Sequence, residues 1–583
     1  MSPARTPRDV ADAYVEALVQ LDPVLATLFG LPADETRLPD LSPAGLDAVA
    51  AQQRASLAEL DDAERAAGGR DGLIPVERRC AVLLRERLTA ELALHDAGEH
   101  LRRLGALDSP PPAIRMLFTL MPTATEADWT AIAARLRAVP AALASYRESL
   151  SEGLARDLPA GPAQVTVVVK QIDDWLKDDW FQGYVAAGPP ALADELSAAA
   201  SIASGAYAQL RDWLRDEYGP AVASHRDPVG PERYARYARQ RTGAELDLAE
   251  AYAWGWAEFG RLDAELRLEA DRVRPGSTPK EAMTWLNEQG PAIDGVENVR
   301  SWLQSVMDDA IASLDGVHVD LADPVRRVEA MIAPVGSAAA AYYTPPSVDF
   351  SRPGRTWLPT LDRTRFPTWD LVSTWYHEGV PGHHLQLAQW VHAAPQLSRY
   401  QTSLGMVDAN VEGWALYAER LMDELGQFAD PAARMGYLIG QQIRAIRVII
   451  DIGMHLELEI PQDQGGAEPF AVGQRWTPDL ARDFFGRNTG LSAEYLDSEV
   501  VRYLEMPGQA IGYKLGERAW LAGREKARTR LGPDFDLRAW HTAALASGSL
   551  GLDDLVAELG ALGDPESAPS DRPRGGSNDG PDE

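Results

Sequence analysis

The chain has 583 residues, 45% of them apolar and 25% charged, with 48 Gly and 41 Pro; these proportions fit a folded globular protein and exclude collagen-like, coiled-coil and largely disordered chains. Asp and Glu number 87 against 56 Lys and Arg, a formal net charge of −31. That field repels phosphate backbones and anionic headgroups, so neither nucleic acid nor a membrane is an expected partner.

From the N-terminus, MSPARTPRDVADAYVEALVQLDP sets acidic residues and Gln among its apolar positions, where a signal peptide needs an unbroken apolar stretch. No window approaches the roughly 18 uncharged apolar residues of a membrane span, and a cytoplasmic protein is expected. Leu, Ala and charged residues then recur at three- and four-residue spacing, which predicts amphipathic helices over 10–21, 43–66, 76–104, 126–154 and 190–218. The pattern continues over 245–272 and 301–314. Strand signals are scarce, and the clearest lies in 327–350. Its MIAPVGSAAAAYYTPPSVDF combines small residues, paired tyrosines and two adjacent prolines, as in an edge strand or extended segment. Helical periodicity resumes at Trp369 and runs to Glu457, with breaks near 379–382 and 426–430. The tail 563–583 has no apolar side chain beyond Ala and Pro and is expected to be disordered. The fold class expected is mainly α, a multi-helix body over 1–562 with possible sub-lobes 1–240 and 241–562 and a small antiparallel β element near the active site.

The single Cys80 rules out an internal disulfide and any Cys-rich metal centre held by this chain alone, so a metal here must rest on His and carboxylate. Of ten His, three fall in WYHEGVPGHHLQ: His377, His383 and His384. Zinc peptidases usually carry His at i and i+4 of one helix with Glu after the first, so that both imidazoles reach one ion and the carboxylate lies beside its water. Here i+4 is Pro381. On an unbroken helix His383 would lie about 9 Å along the axis from His377 and about 120° around it, and His384 about 10.5 Å along, too far to share an ion. Pro381, Gly379 and Gly382 predict a break that brings one imidazole back over the other. His383 is the favoured partner, because Gly382 permits close packing beneath the metal; His384 is the alternative.

A third ligand is sought on DANVEGWALYAERLMDEL, where Glu412 and Glu419 share a helical face. Glu412 is preferred, since Gly413 lets two helices approach closely, whereas Glu419 leads into the charged face of Arg420, Asp423 and Glu424 and is expected in solvent. In RMGYLIGQQIRAIRVIIDIGMHLE the apolar face is interrupted by Gln441, Arg444, Arg447, Asp451 and His455, which either neutralise one another or line a polar cavity. In EVVRYLEMPGQAIGYKLGERAW, Arg502, Tyr503, Gln509, Tyr513 and Lys514 surround a Pro-Gly break, and a Tyr or Arg there would donate to a developing oxyanion.

On WYHEGVPGHHLQ, EGWALYAE, RVIIDIGMH, PGQAIGYKLG and the early DPVLATLFGLPADETRLPD, the chain resembles the bacterial family catalogued as domain of unknown function 885, whose members resemble helical zinc metallopeptidases of the gluzincin type. The resemblance covers nearly the whole chain apart from the tail. It implies one Zn2+ held by His377, His383 and Glu412, with Glu378 as general base. The reading that follows is a zinc-dependent peptidase or amidohydrolase acting on short peptides or peptide-like small molecules. Tyr513, Arg502 or His455 would stabilise the oxyanion, Asp451 would support the ligands from behind, and His384, Tyr342 and Tyr343 would meet the substrate, the last two on an extended 338–346 segment suited to pairing with a peptide. The alternative is a metal-free small-ligand-binding or scaffold protein on the same helical fold.

Overall fold

Prolines at first helical positions and Ser, Thr or Asp caps start many of the helices of this chain, as at Ser42–Pro43, Thr278–Pro279 and Asp430–Pro431. The computed structural model describes residues 5–334 and 340–563, and they are mainly helical. The expected disordered tail, apart from Gly563, and residues 338 and 339 of the extended segment lie outside the described residues. One predicted helix is shorter than its periodicity suggests: Pro75–Asp96 stops before Gly98, whose φ of 76° is left-handed, and a short 3-10 turn, Glu99–Arg102, follows. No described helix is long and apolar enough to cross a membrane.

Among the described residues two hydrophobic clusters form. The smaller draws on residues between Leu104 and Val222, with helices Glu126–Ala155 and Ala193–Trp213 at its centre. The larger joins Val10–Leu88 to residues from Tyr234 to Leu562, and six helices of that body carry or frame the site: α1 (Leu248–Val273), α2 (Leu371–Glu378), α3 (His383–Ala393), α4 (Asp408–Glu424), α5 (Pro431–Leu456) and α6 (Gly512–Leu531). The predicted run 369–457 is therefore divided into α2 to α5, with a 3-10 turn, Ala394–Gln396, and a one-turn helix, Arg399–Thr402, between α3 and α4. Besides the two expected breaks it has a third, around Pro395, where the chain leaves α3 before α4 begins.

The close approach expected at Gly413 is realised against α6. A Cβ on Gly413 would lie 2.4 Å from the carbonyl carbon of Gly516, and one on Gly516 would lie 2.0 Å from the carbonyl oxygen of Ala409. Two glycines facing each other thus let α4 and α6 cross backbone to backbone.

The β structure is small. Strands β1 (Ala292–Asp294) and β5 (Arg365–Pro367) pair antiparallel. Strands β2 (Val328–Ile332), β3 (Tyr342–Thr344) and β4 (Gly354–Leu358) form a sheet of order β2-β4-β3, in which β3–β4 is antiparallel and β2–β4 parallel. β3 is an edge strand, as the adjacent prolines suggested, with Tyr342 opposite Trp357 and Tyr343 opposite Thr356.

Candidate metal centre

The segment between α2 and α3 is folded back on itself. Gly379 N–H still donates to Trp375 at 2.9 Å, but Gly382 N–H reaches the Tyr376 carbonyl at 2.9 Å and His384 N–H the Gly379 carbonyl at 3.0 Å, so α3 starts against the last turn of α2. Only glycine fits at position 382, because a Cβ there would lie 1.9 Å from the His377 carbonyl oxygen. The Trp414 indole N–H of α4 donates to the carbonyls of Pro381 and Gly382, both at 3.0 Å, and fastens the break to the next helix.

This fold-back sets the rings of His377 and His383 with centroids 4.9 Å apart and planes at 82°. Glu412 comes in from α4: its Oε2 lies 3.2 Å from His377 Nε2 and 3.7 Å from His383 Nε2. Bonds of about 2.0–2.2 Å in a tetrahedral zinc site place neighbouring ligand atoms roughly 3.4 Å apart, so the carboxylate oxygen stands near that spacing from both imidazole nitrogens, and one ligand atom of each of the three residues lies within 4.8 Å of the others. The donor set, two neutral-capable imidazoles and a carboxylate with no thiolate, suits zinc. His377 and His383 are buried, while Glu412 keeps 23% of its side chain exposed, which leaves a water-accessible side.

Burial opposes charge on all three residues, yet the His377–Glu412 pair resolves it by attraction: hydrogen bonds to Glu412 and Glu419 raise His377, and the same His377 bond, with the charges of His377 and Arg444, lowers Glu412. Burial pushes His383 down to about 4, keeping that imidazole neutral. Glu378 follows His377 at the end of α2 with no side-chain hydrogen bond among the described residues. Burial, reinforced by the charge of Glu412, raises its carboxyl to about 7.

Glu419 is not in solvent. It is 2% exposed and takes the Nδ1–H of His377 at 2.7 Å, while the Ser373 hydroxyl donates to its other oxygen at 2.7 Å. The expected support from Asp451 is corrected accordingly: that carboxylate, fully buried, accepts from the Tyr234 hydroxyl at 2.6 Å and the Gly508 amide at 2.9 Å and touches none of the three ligands. The signal for Glu419 was its position two turns beyond Glu412 on one face.

His384 also differs from expectation. Its Nε2 donates to the Val325 carbonyl at 2.7 Å and its Nδ1 meets the Tyr343 hydroxyl at 2.9 Å. With 0% of the residue exposed, it neither faces Glu412 nor can meet a substrate; it ties α3 to β3. Tyr343 has its hydroxyl committed to that bond, whereas Tyr342 stacks on Trp357, centroids 5.9 Å apart, and stays partly exposed on the edge strand.

Two of the three oxyanion candidates are engaged elsewhere. His455 donates from Nε2 to the Tyr503 carbonyl at 2.9 Å and receives the Val229 amide at Nδ1, so no ring nitrogen is left over. Arg502 binds Glu499 through Nε and Nη2 and Gln509 through Nη1. Tyr513 remains. Its ring packs under Arg447, 4.9 Å from the guanidinium carbon, its hydroxyl has no hydrogen bond among the described residues, and burial followed by the charge of Glu412 pushes it up to about 12, keeping it protonated.

One other group of three ligand-type residues occurs among the described residues, Asp47, His95 and His100. There the two imidazoles stack, centroids 4.0 Å apart and 11° between planes, so their lone pairs run side by side instead of converging, and Asp47 bonds His95 at 3.0 Å as an exposed pair.

Two solved structures share this fold over nearly their whole length. One, from Colwellia psychrerythraea, is 22% identical with a TM-score of 0.76, covering 95% of this chain and 98% of that one. The other, from Shewanella oneidensis, is 19% identical with a TM-score of 0.74, covering 95% and 100%. Both are described as a "putative lipoprotein", the second as one of unknown function. No curated protein matches the chain. The sequence profile of bacterial proteins of unknown function, DUF885, matches residues 23–559, and the chain belongs to that family.

Proposed function

We propose that this chain is a zinc-dependent hydrolase that cleaves peptide or amide bonds in short peptides or peptide-like small molecules. The observation that carries the reading is the convergence of His377 Nε2, His383 Nε2 and Glu412 Oε2 from three separate helices, with Glu378 adjoining the first ligand. An ion held by those atoms would acidify a water molecule and polarise a carbonyl. The chain's own groups supply the rest. Glu378, raised towards neutrality, accepts the proton of the attacking water and returns it to the leaving amine. The Tyr513 hydroxyl donates to the oxygen on which negative charge grows. Glu419, steadied by the Ser373 hydroxyl, holds the His377 ring at Nδ1, so that Nε2 would be the atom to take an ion. The edge strand β3 offers backbone groups to an extended substrate.

The test is the metal content of protein purified without added metal, then chelation, re-addition and incubation with a mixed short-peptide library read by product mass. One ion per chain and metal-dependent cleavage, lost in Glu378→Gln with the metal retained, are expected. Absence of bound metal with ligand binding intact would favour the metal-free binding protein instead, and an unaltered library with neither metal nor ligand would favour a scaffold.

A further inference from the structure

Arginines on and around α5 are almost all spoken for. Arg434 binds Glu265, Glu269 and Asp423; Arg447 binds Glu499; Arg420 binds Glu517; Arg524 binds Glu424. In a chain with 87 acidic residues against 56 basic ones that is the expected state of a cation in or near the core. Arg444 is the exception. Among the described residues it makes no ion pair; its one hydrogen bond runs from Nη1 to the Gly440 carbonyl of its own helix at 3.0 Å, and its Nε is buried with no partner. A guanidinium carries five donors in a planar fork, and here most of the fork is unused.

Its position says what would use it. A Cβ on Gly440 would lie 3.1 Å from Arg444 Nη1 and 3.7 Å from Glu419 Oε2, so the guanidinium borders the carboxylate that steadies His377. Its charge is also felt by Glu378, Glu412, His383 and Tyr513, in keeping with a position near the proposed base, the candidate ligands and the proposed oxyanion donor. Arg447, next along α5, is neutralised by Glu499 and covered by Tyr513, so Arg444 is the open cation of this region.

We propose that Arg444 binds the free C-terminal carboxylate of a short peptide, making the chain selective for unblocked C-termini; this rests on the hydrolase reading for the identity of the bound molecule as a peptide. A carboxylate matches the planar fork with two parallel N–H···O bonds and satisfies the orphaned donors. An amide-capped terminus offers one neutral acceptor and brings its own N–H groups against the fork, so it is discriminated against.

The experiment measures binding of trialanine and trialaninamide to the zinc-loaded Glu378→Gln protein by calorimetry, which needs no turnover. The acid is expected to bind at least about 10-fold tighter than the amide. Adding Arg444→Gln should erase that preference, and adding Arg444→Lys should restore part of it, since a lysine keeps the charge but not the fork; unchanged thermal unfolding of both variants certifies the fold. Equal affinities for acid and amide, a preference that survives Arg444→Gln, or no binding of either peptide would overturn the proposal. A clear acid preference in a protein that hydrolyses nothing would leave Arg444 in place as a carboxylate site and remove the hydrolase reading alone.

Discussion

Glu419 and Glu412 hold the two nitrogens of one imidazole, but it is the pairing of Glu419 with His377 that decides what the ring can do: Nδ1–H donates to Glu419 at 2.7 Å, so that when Nε2 gives up the proton it shares with Glu412 its lone pair is turned to a cation. A ligand histidine oriented by a carboxylate loses less freedom on binding and is more basic. Glu419→Gln is therefore expected to weaken zinc binding by about 10- to 100-fold, measured by competition against a chromophoric chelator. Ser373→Ala should have a smaller effect of the same sign. Unaltered zinc affinity in Glu419→Gln would show that the contact is only structural.

Tyr513 is the one oxyanion candidate whose hydroxyl is not committed within the fold. Tyr513→Phe is expected to lower kcat by about 100- to 1,000-fold with little change in KM, as for loss of a single oxyanion donor. Arg502→Gln and His455→Gln, in contrast, remove groups already bonded to Glu499 and Tyr503, and should act on thermal stability and leave kcat near the parent value. Steady-state kinetics on any cleaved peptide, beside a melting curve, separates the two patterns.

Asp451 carries a pH dependence of stability. Burial raises its carboxyl from 3.8 to about 7 in the fold, against the opposing bonds from Tyr234 and Gly508. Between those values the folded chain holds a proton that the unfolded chain has released, so this residue lowers stability as pH rises from about 4 to 7, by on the order of 1 kcal/mol per unit. Above about 7 the penalty is complete. Asp451→Asn, with no charge to bury, should flatten that slope: its melting temperature relative to the parent rises from pH 5 to pH 7. A constant difference across that window would contradict the assignment.

The crossing of α4 and α6 depends on Gly516, where a Cβ would meet the Ala409 carbonyl oxygen at 2.0 Å. Gly516→Ala must push the helices apart and is expected to cost about 1–3 kcal/mol or more, and because α4 carries Glu412 it should also weaken zinc binding. Gly205, inside helix Ala193–Trp213 with nothing within 4 Å of its Cβ position, is the control: Gly205→Ala should stabilise by roughly 0.5–1 kcal/mol. Thermal and urea unfolding of the two variants provides the comparison.

Local order was legible from the amino acids alone. Helical periodicity announced a mainly α body, adjacent prolines marked β3 as an edge, and Pro381 between Gly379 and Gly382 announced that the HEGVPGHH helix must break, because proline and glycine act on their own few residues of backbone. The tertiary structure decided everything that depends on which faces meet. It aimed His383 at Glu412 and turned His384, one residue on, towards Val325 and Tyr343. It buried Glu419 against His377 although its neighbours in sequence are charged, committed Asp451, His455 and Arg502 to internal bonds, and left Arg444 with an open fork near Glu419. A periodicity of 3.6 residues identifies faces but not their partners, and partners set by contacts between helices far apart in the chain exist only once the chain has folded.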